Sequence, residues 1–334
     1  MSYHKKDLSK YNFLVSGGAG FIGSNIIEYL IKNNARHVRV LDNLSTGFLE
    51  NIEEFIGLPN FEFMEGDIRN LQTCNDVMFE IDYVIHQAAL GSVPRSIKDP
   101  ILTNQVNIDG FLNILVAARD AKVKRFIYAA SSSTYGDSNS LPKLEDCIGN
   151  PLSPYAITKY VNELYAEIFS KTYSIECIGL RYFNVFGKRQ DPNGPYAAVI
   201  PLFIKKLINH ETLVINGDGE HSRDFTYIDN VIQMNMLALF TDSEASINTV
   251  YNTAFGERTT LNELANYLKI YLSDFDPLIK NVNIKYGENR IGDIPHSLAS
   301  IDKAKKHLNY IPKYNIQEGL KEAISWYWGK LKTN

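Results

Sequence analysis

The sequence predicts an α/β protein built on a doubly wound parallel β-sheet, with a smaller mixed α/β domain after it. In the first half of the chain, short runs rich in β-branched and aromatic residues alternate with helix-length segments, which is typical of successive βαβ units. A glycine-rich turn joins the first of these runs to the first helical segment. Strands connected in this way lie parallel, and helices cover both faces of the sheet.

Hydrophobic periodicity places the individual elements of the first half. Strands are expected in the short β-branched or aromatic runs, and helices where apolar residues recur every three or four positions. We predict strands at 12–16, 38–41, 61–65, 82–86 and 126–130, and helices at 20–33, 107–121 and 155–171.

The second half of the chain is less regular and contains clustered turn residues, as at 191–195 and 216–220. Two further strands are expected to return to the main sheet. We predict these strands at 176–180 and 250–252, and helices at 201–209 and 261–272. The expected division is residues 1–181, with strands returning from about 225–255, followed by residues 182–334.

Composition excludes several classes of protein. The 34 Lys and Arg residues against 38 Asp and Glu give a net charge of −4, so we expect neither a nucleic-acid nor a membrane partner. Cys74, Cys147 and Cys177 have neither disulfide-framework nor zinc-site spacing, and the histidines form no metal motif. We therefore expect no metal site. The polar N-terminal stretch and short apolar runs favour a cytoplasmic location.

The glycine-rich turn has the features of a dinucleotide-binding loop. Gly17, Gly20 and Gly23 follow the first strand and open the first helix, where a tight turn and a helix N-terminus suit a pyrophosphate. Asp42 ends the second strand, where a carboxylate binds an adenosine ribose and repels a 2′-phosphate. The pattern thus indicates a Rossmann-type domain that binds NAD rather than NADP. The alternative is a structural turn followed by a surface aspartate.

A possible acid–base pair lies at the start of the helix predicted at 155–171. Tyr155 and Lys159 are four residues apart, on one helical face, so the ammonium can approach the phenol. Lowering the tyrosine pKa by ~3 units requires about 4 kcal/mol of preferential phenolate stabilisation, which Lys159 and the nicotinamide of NAD⁺ could supply together. Ser131 follows the fifth strand and could relay a proton. Alternatively, these are an exposed helix pair and a polar turn.

Five further motifs strengthen this interpretation. The chain resembles extended short-chain dehydrogenases/reductases along almost its whole length, and among them the UDP-hexose 4-epimerases, most closely the branch acting on UDP-N-acetylglucosamine. The motifs are D-N-L-S-T-G at 42–47, G-D-I-R at 66–69, H-Q-A-A at 86–89, Y-F-N-V-F-G at 182–187 and R-D-F-T-Y-I at 223–228.

The resemblance implies roles for the residues that match the family's cofactor motifs. Residues 1–181 would bind NAD, with Tyr155 as the base, Lys159 on the nicotinamide ribose and Ser131 as the catalytic serine. Asp67 and Ile68 would contact the adenine. The remaining implied cofactor residues are Gly17, Gly20, Phe21, Ile22, Gly23, Asp42, Asn43, Ser45, Thr46, Gly47, Gln87, Ala88, Ala89 and Tyr182.

The resemblance assigns mainly substrate binding to residues 182–334. Asn184 would hold the diphosphate of the sugar nucleotide, and Arg223 and Arg290 would pair with its charge, unless these arginines form surface salt bridges. The other implied substrate residues are Ser92, Ser131, Ser132, Ser133, Tyr155, Val199, Val214, Asn216, Asp293 and Ser297.

The resemblance also bears on the reaction and on the sugar. Family members that dehydrate or decarboxylate carry an acidic residue just before the Tyr-Gly pair, but residues 132–136 read S-S-T-Y-G, which favours epimerisation. Ser297 stands where glucose-restricted members commonly have a tyrosine, which leaves room for a 2-acetamido group. A uronic-acid 4-epimerase that uses Arg95 or Arg258 and a non-catalytic NAD-binding regulator remain alternatives. A homodimer through helices at about 104–121 and 155–171 is expected.

Overall fold

A seven-stranded parallel sheet forms the centre of the protein, and the computed structural model describes residues 2–194, 197–288 and 294–332. The strands are β1 (Asn12–Ser16), β2 (His37–Asp42), β3 (Phe61–Glu65), β4 (Tyr83–His86), β5 (Arg125–Ser131), β6 (Cys177–Tyr182), β7 (Val185–Phe186), β8 (Leu213–Asn216), β9 (Ser222–Arg223), β10 (Thr226–Tyr227), β11 (Thr249–Thr253), β12 (Thr259–Thr260) and β13 (Ile284–Gly287). The strand order in the central sheet is β11-β6-β5-β4-β1-β2-β3, and the predicted strands lie within two residues of those observed.

Helices cover both faces of this sheet. The α-helices are α1 (Phe21–Lys32), α2 (Leu71–Asp76), α3 (Val93–Lys98), α4 (Pro100–Asn104), α5 (Gly110–Asp120), α6 (Pro154–Tyr173), α7 (Val199–Ile208), α8 (Ile228–Phe240), α9 (Leu261–Leu272), α10 (Asp302–Leu308) and α11 (Ile316–Lys332). A π-helical turn at Gln105–Asp109 joins α4 to α5, and 3₁₀ turns lie at Leu8–Lys10, Leu49–Asn51, Glu53–Phe55, Ser132–Tyr135, Glu244–Ser246 and Pro277–Asn281. No helix in the described ranges is both long and apolar enough to span a membrane.

Alternating side chains of the central strands pack into two separate hydrophobic cores, one on each face of the sheet. Phe13 and Val15 of β1 belong to the core on one face, whereas Leu14 between them belongs to the core on the other. The first core continues into the C-terminal region through α7, α8, α9 and α11. The sheet and the C-terminal region thus share one core. We therefore keep the predicted division as a proposal about function, with residues 1–181 for the cofactor and residues 182–334 mainly for the substrate.

The chain turns away from the centre of the sheet in opposite directions after β1 and after β4. From β1 it builds outward through β2 and β3, and from β4 it builds through β5 and β6 to β11 on the other side. In such a sheet, the crevice for a ligand opens at the carboxyl ends of the strands where the order reverses. That crevice lies beside the glycine-rich turn after β1.

A buried ion pair ties α6 to the sheet. The Arg181 guanidinium on β6 donates to both carboxylate oxygens of Glu163, from Nε at 2.9 Å and from Nη2 at 2.7 Å, and Nη1 donates to the Glu145 carbonyl at 2.8 Å. Arg181 is 3% exposed and Glu163 is 8% exposed. The pair fixes the helix that carries Tyr155 and Lys159, because Glu163 lies one turn after Lys159 on α6.

Arg181→Met is expected to lower the free energy of unfolding by about 3–5 kcal/mol, because the Glu163 carboxylate would stay buried without a cation. Urea denaturation followed by circular dichroism measures the change. Arg119→Met is the matched control, since Arg119 pairs with the exposed Asp120 and should contribute no more than about 1 kcal/mol. Equal losses in the two variants would contradict the structural role of the buried pair.

Candidate active site

The first cavity, here called the sheet-edge cavity, opens at the carboxyl ends of the central strands. Every residue that the sequence assigned to cofactor binding lines it except Asp67. The predicted residues lining it are Gly17, Gly20, Phe21, Ile22, Gly23, Asp42, Asn43, Ser45, Thr46, Gly47, Ile68, Gln87, Ala88, Ala89, Tyr155, Lys159 and Tyr182, with Ser131. Residues far apart in sequence thus form one continuous wall.

Asp67 lies just behind this wall. Its carboxylate accepts hydrogen bonds from Arg69 Nη2 at 2.7 Å and from Asn43 Nδ2 at 2.8 Å. The Arg69 guanidinium lowers the pKa of Asp67 to about 2. Asp67 therefore orients Asn43, which does line the cavity, and its predicted contact with adenine stays a prediction.

The glycine-rich turn is packed too closely for side chains. Gly17 has a φ of 72°, and a Cβ there would lie 2.5 Å from the Ala88 amide nitrogen. A Cβ on Gly23 would lie 2.2 Å from the Gly17 carbonyl oxygen. Gly20 begins α1 with no side-chain cap, so the first-turn amides of α1 are left for an anion.

Asp42 presents a carboxylate to the same cavity. Its Oδ2 accepts from the Ala19 amide and its Oδ1 from the Leu44 amide, each at 2.9 Å. Burial raises the pKa of Asp42 above its usual value, and these amide bonds oppose that shift. The carboxylate is therefore held in one orientation at the end of β2, where it can accept from ribose hydroxyls.

Tyr155, Lys159 and Ser131 meet at the floor of the cavity. The Ser131 hydroxyl accepts from the Ser133 amide at 3.1 Å and from the Ser133 hydroxyl at 2.9 Å, and it lies close enough to the Tyr155 phenol to lower the pKa of that phenol. Because Ser133 donates to this hydroxyl twice, the Ser131 proton is left available for the neighbouring tyrosine oxygen. The Lys159 ammonium donates to the Ala129 carbonyl at 2.8 Å, which fixes it beneath the cavity.

Burial works against the charged forms of this pair. It raises the pKa of Tyr155 above its usual value, while the Ser131 hydrogen bond lowers it. Burial also lowers the pKa of Lys159 to about 8, and the Glu163 carboxylate acts in the opposite direction. The protein groups alone therefore do not make Tyr155 a base at neutral pH, so additional positive charge beside it is needed.

A second cavity, here called the outer cavity, adjoins the first at Ser131, which lines both. It brings together six of the predicted substrate residues from four separate segments of the chain. These residues are Ser131, Ser132, Ser133, Asn184, Arg223 and Ser297. The turn after β5 thus connects the tyrosine–lysine pair to the arginine and the serine from the C-terminal half.

Four other predicted substrate residues, all within the described ranges, line neither cavity. Ser92, at a φ of 99°, caps α3 through a 3.3 Å hydrogen bond from the Arg95 amide. Val199 begins α7, and Val214 and Asn216 lie on the exposed face of β8, because side chains alternate along a strand. Arg290 and Asp293 lie outside the described residues. The substrate role of these residues remains a prediction.

Sequence reasoning missed eight residues that line the outer cavity, and three of these, Tyr135, Lys143 and His296, carry polar side chains. Lys143 is 4% exposed, and its ammonium donates to the Ser138 carbonyl. Within the described ranges, its ammonium forms no ion pair with a carboxylate. A lone Leu-Pro-Lys segment gives no sequence signal for this position, since only the fold brings it to the cavity.

The chain is similar in sequence and in fold to proteins of known structure. The model of the NAD dependent epimerase/dehydratase family matches residues 13–254. A UDP-N-acetylglucosamine 4-epimerase of Methanobrevibacter ruminantium is 39% identical with a TM-score of 0.88, covering 96% of this chain and 99% of that one. A UDP-glucose 4-epimerase of Thermotoga maritima is 36% identical with a TM-score of 0.88 and the same coverage.

A UDP-glucuronate 4-epimerase of Thermodesulfobacterium geofontis is 32% identical over 323 residues, 94% of this chain and 95% of that one. The three relatives act on different sugars, so similarity alone does not select one. The family match extends over most of the chain and includes the glycine-rich turn, Ser131, Tyr155, Lys159 and Arg223. The chain therefore belongs to the NAD dependent epimerase/dehydratase family.

Proposed function

We propose that this protein interconverts the C4 epimers of a UDP-sugar, with UDP-N-acetylglucosamine and UDP-N-acetylgalactosamine as its main pair and UDP-glucose and UDP-galactose as a further pair. The observation that carries the proposal is the position of Ser131, which lines the sheet-edge cavity together with Tyr155 and Lys159 and also lines the outer cavity. A cofactor in one cavity and a sugar in the other would meet at this acid–base pair.

The sheet-edge cavity fits NAD. The uncapped N-terminus of α1 suits the pyrophosphate, and Asp42 suits the adenosine ribose. Lys159 lies at the opposite end beside Tyr155, where it can hold the nicotinamide ribose. Bound NAD⁺ supplies a reversible hydride acceptor and a positive charge near the tyrosine, so epimerisation needs no net oxidant.

Tyr155 would carry the proton chemistry. Its phenolate removes the proton of the C4 hydroxyl, and the phenol returns that proton after the 4-keto sugar has presented its other face. The Ser131 hydroxyl would donate to the tyrosine oxygen, an interaction that lowers the pKa of the phenol. The buried Lys159 ammonium beneath the cavity favours the phenolate electrostatically.

The charges of the two cavities favour epimerisation over dehydration. Elimination of water from a sugar requires a general acid at the leaving hydroxyl. Among the described residues that line the cavities, Asp42 is the one carboxylate, and it lies at the end of β2. Residues 132–136 place no acid beside Ser131, so proton transfer rests on Tyr155.

Proton NMR of purified protein with UDP-N-acetylglucosamine, without added cofactor, tests the proposal, with UDP-glucose and UDP-glucuronic acid as parallel samples. We expect the UDP-N-acetylgalactosamine signals to appear fastest. Tyr155→Phe should reduce turnover at least about 100-fold, since general base catalysis contributes about that much or more, while bound NAD, measured by absorbance after extraction, is retained. Failure of every sugar to convert, with NAD added, would refute the proposed activity.

Ser297 supports the choice of an N-acetylated sugar. Ser297 lines the outer cavity. Its main-chain amide donates to the Ser222 carbonyl at 3.0 Å, which holds this segment against β9. A serine here leaves space that the ring of a tyrosine would fill. Because the main chain is fixed on the neighbouring β9, the segment cannot easily move away to accommodate a larger side chain.

Ser297→Tyr is expected to lower kcat/KM for UDP-N-acetylglucosamine by about 100-fold, because overpacking against the 2-acetamido group excludes it. Turnover of UDP-glucose should change by less than threefold. Comparing the two rates in the same preparation makes the unaffected sugar an internal control. Equal losses on both sugars would contradict a size limit at Ser297.

A uronic acid is the second candidate sugar, and Lys143 is the observation that favours it. Its ammonium is buried at the outer cavity without a carboxylate partner in the described part of the chain. Burial lowers its pKa below the usual value. A C6 carboxylate would compensate this charge, and faster conversion of UDP-glucuronic acid than of UDP-N-acetylglucosamine would favour this candidate.

We also propose a homodimer, through a surface that differs in part from the expected one. The apolar side chains of α5, such as Phe111 and Leu115, are buried against the sheet. The exposed apolar residues come instead from α4 and α6, and they are Ile101, Leu102, Ile157, Leu164 and Ile168. Sedimentation should give a dimer that Ile101→Glu with Ile168→Glu converts to monomers; a monomeric native protein would contradict the proposal.

A further inference from the structure

Asp224 lies fully buried between the strands and loops that form the outer cavity, with 0% of its surface exposed. Its Oδ1 accepts from the Phe255 amide at 3.1 Å, and its Oδ2 accepts from the Gly256 amide at 3.1 Å and from the Ala299 amide at 3.2 Å. One carboxylate thus holds two main-chain segments that are more than forty residues apart in sequence.

Three cavity residues depend on the position of Asp224. The Asn184 amide donates to the Asp224 carbonyl at 3.1 Å. Arg223 is the last residue of β9 and immediately precedes Asp224. The Arg223 guanidinium donates to the Pro295 carbonyl at 3.1 Å. Ser297 lies two residues before Ala299, whose amide binds the carboxylate.

These three residues come from different parts of the chain and share the outer cavity. Asn184 follows β6, Arg223 ends β9, and Ser297 belongs to the segment before α10. Asp224 is the residue that connects all three, through its carbonyl, its peptide bond and its carboxylate. Asp224 itself lines neither cavity.

We propose that Asp224 is a positioning residue that assembles the nucleotide-sugar side of the outer cavity, by holding Asn184, Arg223 and Ser297 in their binding arrangement. This inference rests on the proposed function for the identity of the ligand, a UDP-sugar. It adds a residue that acts through others and makes no contact with the substrate.

The ionised form of Asp224 performs this role. The carboxylate bonds within the described ranges come from main-chain amides, and a carboxylate accepts all of them, whereas an asparagine would turn an N–H towards an amide. An asparagine of the same shape therefore loses acceptors without leaving a cavity. Displacement of binding groups by about 1 Å can cost 100-fold in efficiency.

Acidification should have the same effect as the asparagine. Burial raises the pKa of Asp224 to about 7, the amide bonds oppose this shift, and the nearby Glu257 adds to it. The other ionisable neighbours are Arg223, which is adjacent in the chain, and the buried Tyr310, a neutral phenol whose pKa is raised by burial and by Asp224. As pH falls through about 7, Asp224 gains a proton and loses acceptor capacity, so UDP-sugar binding weakens.

His296 also lies in the outer cavity, where its ring bonds the Ser222 hydroxyl at 2.9 Å. His296 is thus a second titratable side chain beside the binding groups that Asp224 positions.

Asp224→Asn tests the proposal in the full chain with bound NAD. We expect KM for UDP-N-acetylglucosamine to rise about 10- to 100-fold, kcat to change by less than threefold, and NAD content to stay at the wild-type level. Asp229→Asn is the matched control, because Asp229 is a half-buried carboxylate whose pKa burial also raises, but it accepts from the Tyr3 hydroxyl at 3.5 Å and positions no residue of the outer cavity. An unchanged KM, or a fall in kcat alone, would overturn the proposal.

Two further measurements separate this inference from the proposed function and from misfolding. Calorimetry with UDP at pH 8 requires no turnover, so weaker UDP binding in Asp224→Asn supports the proposal even if no sugar is converted, and equal binding overturns it. If Asp224→Asn does not fold, Tyr155→Phe is titrated with UDP-N-acetylglucosamine between pH 8 and 6. Its Kd should then rise about tenfold per pH unit below the pKa, and a constant or falling Kd would overturn the proposal.

Discussion

Parallel pairing of the central strands is the constraint on which the active site depends. β1 pairs with β4, β4 with β5 and β5 with β6, all in parallel register. Their carboxyl ends therefore lie at one edge, which brings the glycine-rich turn after β1, Gln87 after β4 and Ser131 at the end of β5 to a single cavity. The N-terminus of α1 points to the same place because α1 follows β1 through that tight turn.

Ser131 joins the two halves of the site because of its position in this edge. It ends β5 and begins the 3₁₀ turn at Ser132–Tyr135, so it lines the sheet-edge cavity together with Tyr155 while the turn lines the outer cavity. The α6 helix that presents Tyr155 is in turn fixed by the buried Glu163–Arg181 pair. The sheet and α6 thereby hold Ser131 and Tyr155, the proposed acid–base residues. The C-terminal half contributes Arg223 and Ser297, the residues proposed to recognise the sugar nucleotide.

The protein stabilises its buried charges in three different ways. Glu163 has a bidentate arginine partner, and Asp224 has main-chain amides. Lys143 and Lys159 instead donate to carbonyl oxygens beside a cavity, and within the described ranges neither ammonium group forms a direct ion pair with a carboxylate. This contrast separates the buried charges that hold the structure together from those that await negative charge in a bound molecule.

The sequence by itself predicted the seven strands of the central sheet, five of the helices and most of the residues that line the sheet-edge cavity. Hydrophobic periodicity and short motifs can be recognised from residues that are close together in the sequence. The motifs at 17–23, 42–47 and 86–89 each occur at the end of a strand that is evident from its run of apolar residues. Several helices were not predicted, among them α8 and α11, although Leu320, Ala323, Ile324 and Tyr327 of α11 are buried with helical spacing. The irregular turns around them obscured that signal.

Only the tertiary structure decided how the C-terminal half completes the site. It brought Lys143, Arg223 and Ser297 into one cavity and left Val214 and Asn216 on an exposed strand face. It also made Asp224 a junction between segments. These outcomes depend on contacts between residues distant in sequence, and neither hydrophobic period nor motif spacing encodes such contacts, because each describes one stretch of chain at a time.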